Sequence, residues 1–482
     1  MNSNTFASRA WQHRAGELGD RLPRGLTIGT ATSAFQVEGG ARDGGRGESS
    51  WDVFTRQQGR ILDGQNASIS ADHIGNLTDD VTLLRELGAD LYSFSFAWPR
   101  LQPDARGALN RAGLAFYDRL LDQLLGNGIS AMATLSHWDL PLALKGGWLN
   151  RDTAMRFGDY AHQMGEIFGD RIDAWVTLND PATVTLNGYL TGVHAPGQAL
   201  LFDALPAAHH QLLGHGVAVQ GLRAADVRGG IGIRNQHTPV QPSTDREADR
   251  DAAELLDLLH NRLFADPVLL GRYPDPGGVF ESELRYLHET DPDDLRTIHQ
   301  PLDFYGVGYT QPSRVAAGAA GPVSAQPGTD TADMPVRTLP LHLEAYREHP
   351  VTGSGVPNAP EYLPVLLADL RDRYADLLPP VYLTVGASYP DRADVRGAVT
   401  DLARIDYLAE HLVAAAEAVA PGGPAEGVAL RGVLIWSLLD SFEWTAGYTQ
   451  RFGLVAVDFT DPSRPRTPKQ SYRWLQQVLS NR

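Results

Sequence analysis

Six short clusters of polar and aromatic residues carry the side chains that could do chemistry. They are Ser33-Ala-Phe-Gln-Val-Glu-Gly39, Ser136-His-Trp-Asp139, Thr177-Leu-Asn-Asp-Pro181, Gly308-Tyr-Thr310, Ala387-Ser-Tyr389, and Trp436 followed by Asp440-Ser-Phe-Glu-Trp444. Amides and carboxylates can make paired hydrogen bonds to neighbouring hydroxyls, and a Trp face covers the apolar side of a pyranose ring. Gln36, His137, Asn179, Glu443, Trp436 and Trp444 are therefore the residue types a sugar site requires. Taken singly, each has a plainer explanation. His137 alone is better read as a satisfied core histidine, Trp436 and Trp444 as core, and Asp180 before Pro181 as a helix cap. Only their joint recurrence at corresponding places in the chain favours a site.

Those places are the ends of strand-like runs. Candidate strands are 26–31, 90–97, 130–136, 174–178, 230–233, 302–307, 381–385 and 433–438, most of them bounded by Gly, Pro or Asp. Between them lie helical patterns at 80–87, 111–125, 153–168, 246–263, 362–374 and 401–420. Strands alternating with crossover helices imply a parallel sheet, and eight units imply a closed (β/α)8 TIM barrel. An open doubly wound sheet is the rival, but no G-x-G-x-x-G follows the first strand. A barrel places active residues at the C-terminal ends of its strands, where these clusters fall. Residues 311–341, rich in Ala, Gly, Pro, Ser and Thr, read as a long loop after the sixth strand. Residues 1–24 read as an N-terminal extension ahead of a single barrel domain over 25–482.

Composition narrows the partners. The 482 residues carry 41 Lys+Arg against 58 Asp+Glu, a net charge of −17, with no basic run for a phosphate backbone, so nucleic acid is excluded. The absence of cysteine removes disulfides, thiolate nucleophiles and Cys-based metal sites. No apolar stretch reaches the roughly 18 residues of a membrane span, and the N-terminus has no apolar signal core, so a cytoplasmic protein without membrane contact is expected. No H-E-x-x-H or G-x-S-x-G occurs, and His209-His210 lie in a helical run, so neither a metal, a cofactor nor a Ser-His-Asp triad is expected. The expected partner is a small-molecule glycoside or polyol.

From about Leu26 to Trp474 the sequence resembles glycoside hydrolase family 1, the β-glucosidase family. The matching stretches are Gly29-Thr-Ala-Thr-Ser-Ala-Phe-Gln-Val-Glu-Gly39, Gly45-Arg-Gly-Glu-Ser-Ser-Trp-Asp52, Phe94-Ser-Phe-Ala-Trp-Pro-Arg100, His137-Trp-Asp-Leu-Pro141, Thr177-Leu-Asn-Asp-Pro181, Gly192-Val-His-Ala-Pro-Gly197 and Trp436-Ser-Leu-Leu-Asp-Ser-Phe-Glu-Trp444. Arg451-Phe-Gly-Leu-Val455 and Asp458 fit the family's closing strand and turn. The resemblance implies a TIM barrel and assigns Gln36, His137, Asn179, Trp436, Glu443 and Trp444 to glycone binding, with Tyr309 beside them. Glu443-Trp444 resembles the pattern of enzymes for unphosphorylated sugars.

The same resemblance exposes departures. Family members are retaining hydrolases, in which one Glu serves as acid and base and a second, about 5–5.5 Å away, attacks the anomeric carbon. The acid/base motif Thr-Leu-Asn-Glu-Pro here ends in Asp180, one methylene shorter, and a misplacement of about an ångström can cost about 10²-fold. The nucleophile motif Thr-Glu-Asn-Gly corresponds to Thr384-Val385-Gly386, one residue short and without Glu. Ser93 stands where the family has the Arg that holds the nucleophile as an anion, and Gly308-Tyr309-Thr310 replaces Asn-Tyr-Tyr. An Arg without its carboxylate would be a poorly paired buried charge, so their joint loss is coherent. On the aglycone side Ala182 and Val356 stand near family Trp positions, implying a wider entrance. The expectation is a β-glucosidase-like protein acting by proton transfer through Asp180. The alternatives are a non-catalytic glycoside-binding protein and a weak or inverting glycosidase.

Overall fold

The computed structural model describes residues 11–275, 281–318, 339–395 and 397–482. Eight parallel strands close into a barrel: β1 (Thr27–Ala31), β2 (Leu91–Ser95), β3 (Ser130–Ser136), β4 (Ala174–Asn179), β5 (Gly230–His237), β6 (Phe304–Tyr309), β7 (Val381–Val385) and β8 (Leu430–Trp436). Each pairs with its sequence neighbours, and β8 closes on β1. All eight expected strands are present, displaced by a few residues at most except at β5, which runs four residues beyond its expected end.

Aspartates lock the floor of the barrel. Asp90, Asp173 and Asp303 immediately precede β2, β4 and β6. Their carboxylates accept the backbone N–H of Ile28, Ala131 and Ile231 on the preceding strands at 2.8, 2.9 and 2.7 Å. Leu91, Met132, Ala174, Val176, Phe304 and Leu434 fill the lower barrel interior, with Tyr382 packed against them. The alternate residues of the strands, such as Ile231, Ile233, Leu383 and Val385, face the helices and join the main core. Both faces are thus buried, which explains why the strands read as nearly continuous apolar runs.

Asn110 and Asn150 cap the helices Arg111–Gly126 and Arg151–Phe168, each side chain accepting from the second helical N–H. The expected helix over 246–263 is realised as Glu247–Asp257, a π-helical turn at Leu258–Arg262 and Leu263–Leu270. The helical run that holds His209 and His210 is realised as Leu205–Ala224, which is buried on most sides, both histidines included. A helix covered all round shows no polar stripe.

Two further segments need comment. The expected loop 311–341 begins with a strand, Ser313–Ala317. It forms a small outer sheet with Val240–Pro242 and Leu341–Glu344, while 319–338 lie outside the described residues. Within the segment expected as an N-terminal extension, the helix Ala15–Arg21 packs on the last helix, Gln470–Ser480, and Trp474 Nε1 donates to the Trp11 carbonyl at 2.8 Å. Among the described residues no helix is long and apolar enough to cross a membrane.

Candidate active site

The strand ends surround a pocket of about 1060 Å³ that opens to solvent at the C-terminal face of the barrel. Its walls differ in chemistry. After β1 the chain turns into a short helical segment, Ala34–Val37, whose first N–H is accepted by Ser95 Oγ at 2.8 Å. Gln36 on that turn is fully buried. Its Oε1 accepts from Ser33 Oγ (2.7 Å) and its Nε2 donates to the Phe442 carbonyl (2.8 Å), so the amide is fixed before any ligand arrives. Phe35 stacks nearly parallel on Trp444 at 5.7 Å, and Trp51 and Trp138 lie against the same indole at 4.4 Å. Glu443, also buried, accepts from Ser441 Oγ at 2.7 Å. Three residues of the pocket hold left-handed backbone conformations, Trp138 (φ 74°), Asp180 (φ 48°) and Trp444 (φ 53°). Such conformations cost about 1–3 kcal/mol each and persist only where the surroundings enforce them.

A hydrogen-bonded chain crosses from β3 to β5. Trp138 Nε1 donates to the Asn179 carbonyl (3.1 Å), Asn179 Nδ2 donates to His137 Nε2 (3.1 Å), and Arg234 Nη1 donates to Asn179 Oδ1 (3.3 Å). Arg234 Nη2 reaches the Ser93 hydroxyl on β2 at 3.1 Å and the Met132 sulfur at 3.3 Å. Arg234 is the residue that sequence reasoning missed, because the expected fifth strand stopped at Ile233. The available signal was the alternation itself. Gly230, Gly232, Arg234 and Gln236 point into the barrel, while Ile231 and Ile233 point out. Gly306 beside it on β6 has to be glycine, since a Cβ there would lie 2.9 Å from Arg234 Cβ.

Arg234 is buried, and no carboxylate lies within ion-pair distance of it among the described residues. Its Nε has no acceptor. Burial alone lowers its pKa to about 10. Burial, reinforced by the Arg234 charge, drives His137 down to about 3, so the imidazole is neutral and accepts from Asn179.

Asp180 lines the pocket at the end of β4. Its Oδ1 accepts the Thr183 N–H at 3.2 Å as the cap of the short helical turn Pro181–Thr183. Burial raises its pKa above the ordinary carboxylate range. The Thr183 hydroxyl, the His260 charge and the Thr183 and Gln236 backbone N–H groups oppose the shift without cancelling it. Among the pocket-lining residues only Asp180 and Glu443 carry carboxyl groups.

The wall made by β6 and β7 is bare. Gly308, Thr384 and Gly386 line it, and the buried Thr384 hydroxyl has no partner. Val385 belongs to the core facing the helices. Gln236 from β5 fills the space over Gly308, where a Cβ would lie 2.2 Å from its Oε1, and donates to Thr310 Oγ1 at 2.6 Å. Asp391 lies away from the pocket, bound to Lys469 at 2.9 Å, and burial raises its pKa to about 6.

The pocket therefore gathers Gln36, His137, Asn179, Asp180, Trp436, Glu443 and Trp444. Tyr309 differs from expectation. It forms part of the wall, but its ring belongs to the outer core and its hydroxyl donates to the Ala359 carbonyl at 2.6 Å, because its strand position faces the helices. Ala182 is fully buried and does not line the pocket, so Thr183 and Val356 shape that rim instead. No group of three or more His, Asp or Glu side chains suited to a metal occurs among the described residues.

Residues 18–482 match the family profile described as glycosyl hydrolase family 1. The chain belongs to this family. It is 36% identical to β-glucosidase A of Thermotoga maritima over 465 residues, 96% of this chain and 98% of that protein. Among solved structures, the psychrophilic β-glucosidase BglU of Micrococcus antarcticus superposes with a TM-score of 0.89 at 39% identity, over 96% of this chain and 99% of that one. The virulence factor SghA, in complex with its substrate analogue salicin, gives 0.88 at 36% identity, over 98% of both chains. The closed eight-stranded barrel is thus the (β/α)8 barrel of family 1.

Proposed function

We propose that this family 1 protein holds a glycosylated or polyhydroxylated small molecule in the glycone pocket and acts on it by proton transfer through Asp180, without a covalent glycosyl-enzyme intermediate. The observation that carries this reading is the make-up of the pocket's carboxyl groups. Asp180 and Glu443 are the pair among the described lining residues, and Glu443 is tied to Ser441 on the sugar-binding side. The opposite wall, from which a nucleophile would attack, presents Gly308, Thr384 and Gly386. Retaining hydrolysis requires a second carboxylate about 5–5.5 Å from the acid, and nothing on that wall can supply it.

What Asp180 can do follows from its surroundings. A carboxyl group whose pKa is raised by burial keeps its proton nearer to neutral pH and can hand it to a leaving oxygen. Neutral His137, Asn179, Gln36 and Glu443 would orient the hydroxyls, and Trp436 and Trp444 would cover the apolar face. Elimination, dehydration and cyclisation each need this proton transfer and no nucleophilic side chain, whereas inverting hydrolysis would also need a base on the opposite wall to take the proton of the attacking water. The test is incubation with a panel of glycosides and glycosylated natural products, followed by mass spectrometry. The reading expects a product that disappears in Asp180→Asn. Turnover of aryl glucosides at an ordinary family rate with retained configuration would overturn it.

A second reading draws on the cap. Asp180 accepts from Thr183, which is reason enough for a carboxylate at that position in a protein that only binds glycosides. Ligand binding without any product across the panel would favour it.

A further inference from the structure

A buried cation without a counter-charge is costly, and proteins pair such groups or let a ligand do so. Among the described residues Arg234 stands alone in this respect within the pocket. Arg100 bonds Glu38 at 2.8 Å, Arg404 bonds Asp401 at 2.8 Å, and Arg466 bonds Asp80 at 2.8 Å, each pair deeply buried. Arg234 is buried as deeply and has only neutral partners, Ser93, Asn179 and Met132. Of its five N–H groups, three are used in these contacts. The Nε–H has no acceptor, and one Nη1–H remains.

Its position gives the charge a direction. Arg234 stands level with Gly306 on β6 and Tyr382 on β7 in the strand register, and the next inward residues on those strands are Gly308 and Thr384. The bare wall therefore begins one layer above the guanidinium, and the unpartnered Thr384 hydroxyl lies on it. Ser93, which Arg234 contacts, occupies the place where the resemblance puts an arginine that holds the nucleophile's carboxylate. A cation has thus returned to this region from another strand, while the carboxylate has not. Glu443 follows β8, three strands away around the barrel, so an acidic ligand would turn its charge away from Glu443 and toward Arg234.

We infer that the pocket recognises a sugar acid: a polyhydroxylated ligand whose carboxylate occupies the bare wall and is bound by Arg234. The inference rests on the reading of the pocket as a sugar site and deepens it by naming the ligand's charge. The end facing the bare wall is the anomeric end by family resemblance, so the carboxylate belongs on or beside that carbon. An acid at the far end of the sugar would meet Glu443.

Calorimetry on the intact protein tests this with glucose, gluconate, glucuronate, acetate and inorganic phosphate. Gluconate is expected to bind at least tenfold more tightly than glucose, the usual advantage of a charge-assisted hydrogen bond. Glucuronate is expected to bind no better than glucose. Arg234→Met should abolish the preference for gluconate over glucose, read as the ratio of the two affinities, with the circular dichroism spectrum checking the fold. Arg234→Lys, which keeps the charge, should retain part of the preference. Glucose bound as well as gluconate would overturn the sugar acid while leaving the sugar pocket intact. Acetate or phosphate bound as tightly as gluconate would also overturn it, showing a bare anion site. A stronger preference for glucuronate would overturn the placement of the carboxylate. Binding of none of them at millimolar concentration would overturn both this inference and the sugar pocket.

Discussion

The two walls of the pocket were built to different standards. On the side of β1, β3, β4 and β8, nearly every polar atom is fixed by a neighbour: Gln36 by Ser33 and Phe442, His137 by Asn179, Glu443 by Ser441. On the side of β6 and β7 the cavity meets Gly308 with Gln236 over it, Thr384 and Gly386, with Arg234, which has no carboxylate partner, beneath. A site that had merely decayed would loosen throughout, because no selection would hold the left-handed Trp138 and Trp444 or the amide pair in place. Preorganisation present on one wall and absent from the other is what the proposed change of chemistry at a kept sugar site would leave.

The comparison can be broken most severely on the bare wall. Salicin and p-nitrophenyl β-glucoside should be turned over roughly 10⁴-fold or more below an ordinary family member, since among the described lining residues no carboxylate stands opposite Asp180. Product release followed by absorbance, against a buffer blank, measures it. On the kept side, Asp180→Asn should cost 10²- to about 10⁴-fold in the native reaction, the usual worth of acid–base catalysis, with ligand affinity and melting temperature nearly unchanged. Asn caps the turn as well as Asp does, so a variant with neither activity nor stability changed would assign Asp180 to the cap.

Smaller effects sharpen the contrast. Glu443→Gln keeps the shape but removes the charged acceptor, and calorimetry should show a loss of about 1 to 2 kcal/mol in sugar binding. Arg234→Met should stabilise the ligand-free protein by about 1 kcal/mol, read as a higher urea midpoint, because an apolar chain beside Met132 replaces an uncompensated buried charge. A lowered midpoint would mean that its bonds to Ser93 and Asn179 outweigh its desolvation. Thr183→Val removes a hydroxyl that lowers the Asp180 pKa, so that pKa should rise further. A general acid works while protonated, and activity is lost as pH rises through its pKa. The alkaline limb of kcat/KM should therefore move to higher pH, whereas a limb that stays put would belong to another group.

Much of this molecule was legible in the chain because its signals are local. Strand runs bounded by Asp and Gly, and the polar clusters after six of them, depend on residues within a few positions of one another. The barrel, the pocket's location and seven of its side chains followed from them. Arg234 did not, because the expected fifth strand stopped at Ile233, one residue short of the position that the alternation turns into the barrel. Nor did the burial of Leu205–Ala224, whose lack of a polar stripe reflects neighbours distant in sequence. Tyr309 and Ala182 were misjudged for the same reason: a motif names residues, and one step along a strand turns a side chain from pocket to core. The sequence by itself determined which groups exist and that none in 382–390 is a carboxylate. Only the closed barrel decided which of them meet, because the spacing of strands around a ring sets whether a lone cation on the fifth faces the wall left bare on the sixth and seventh.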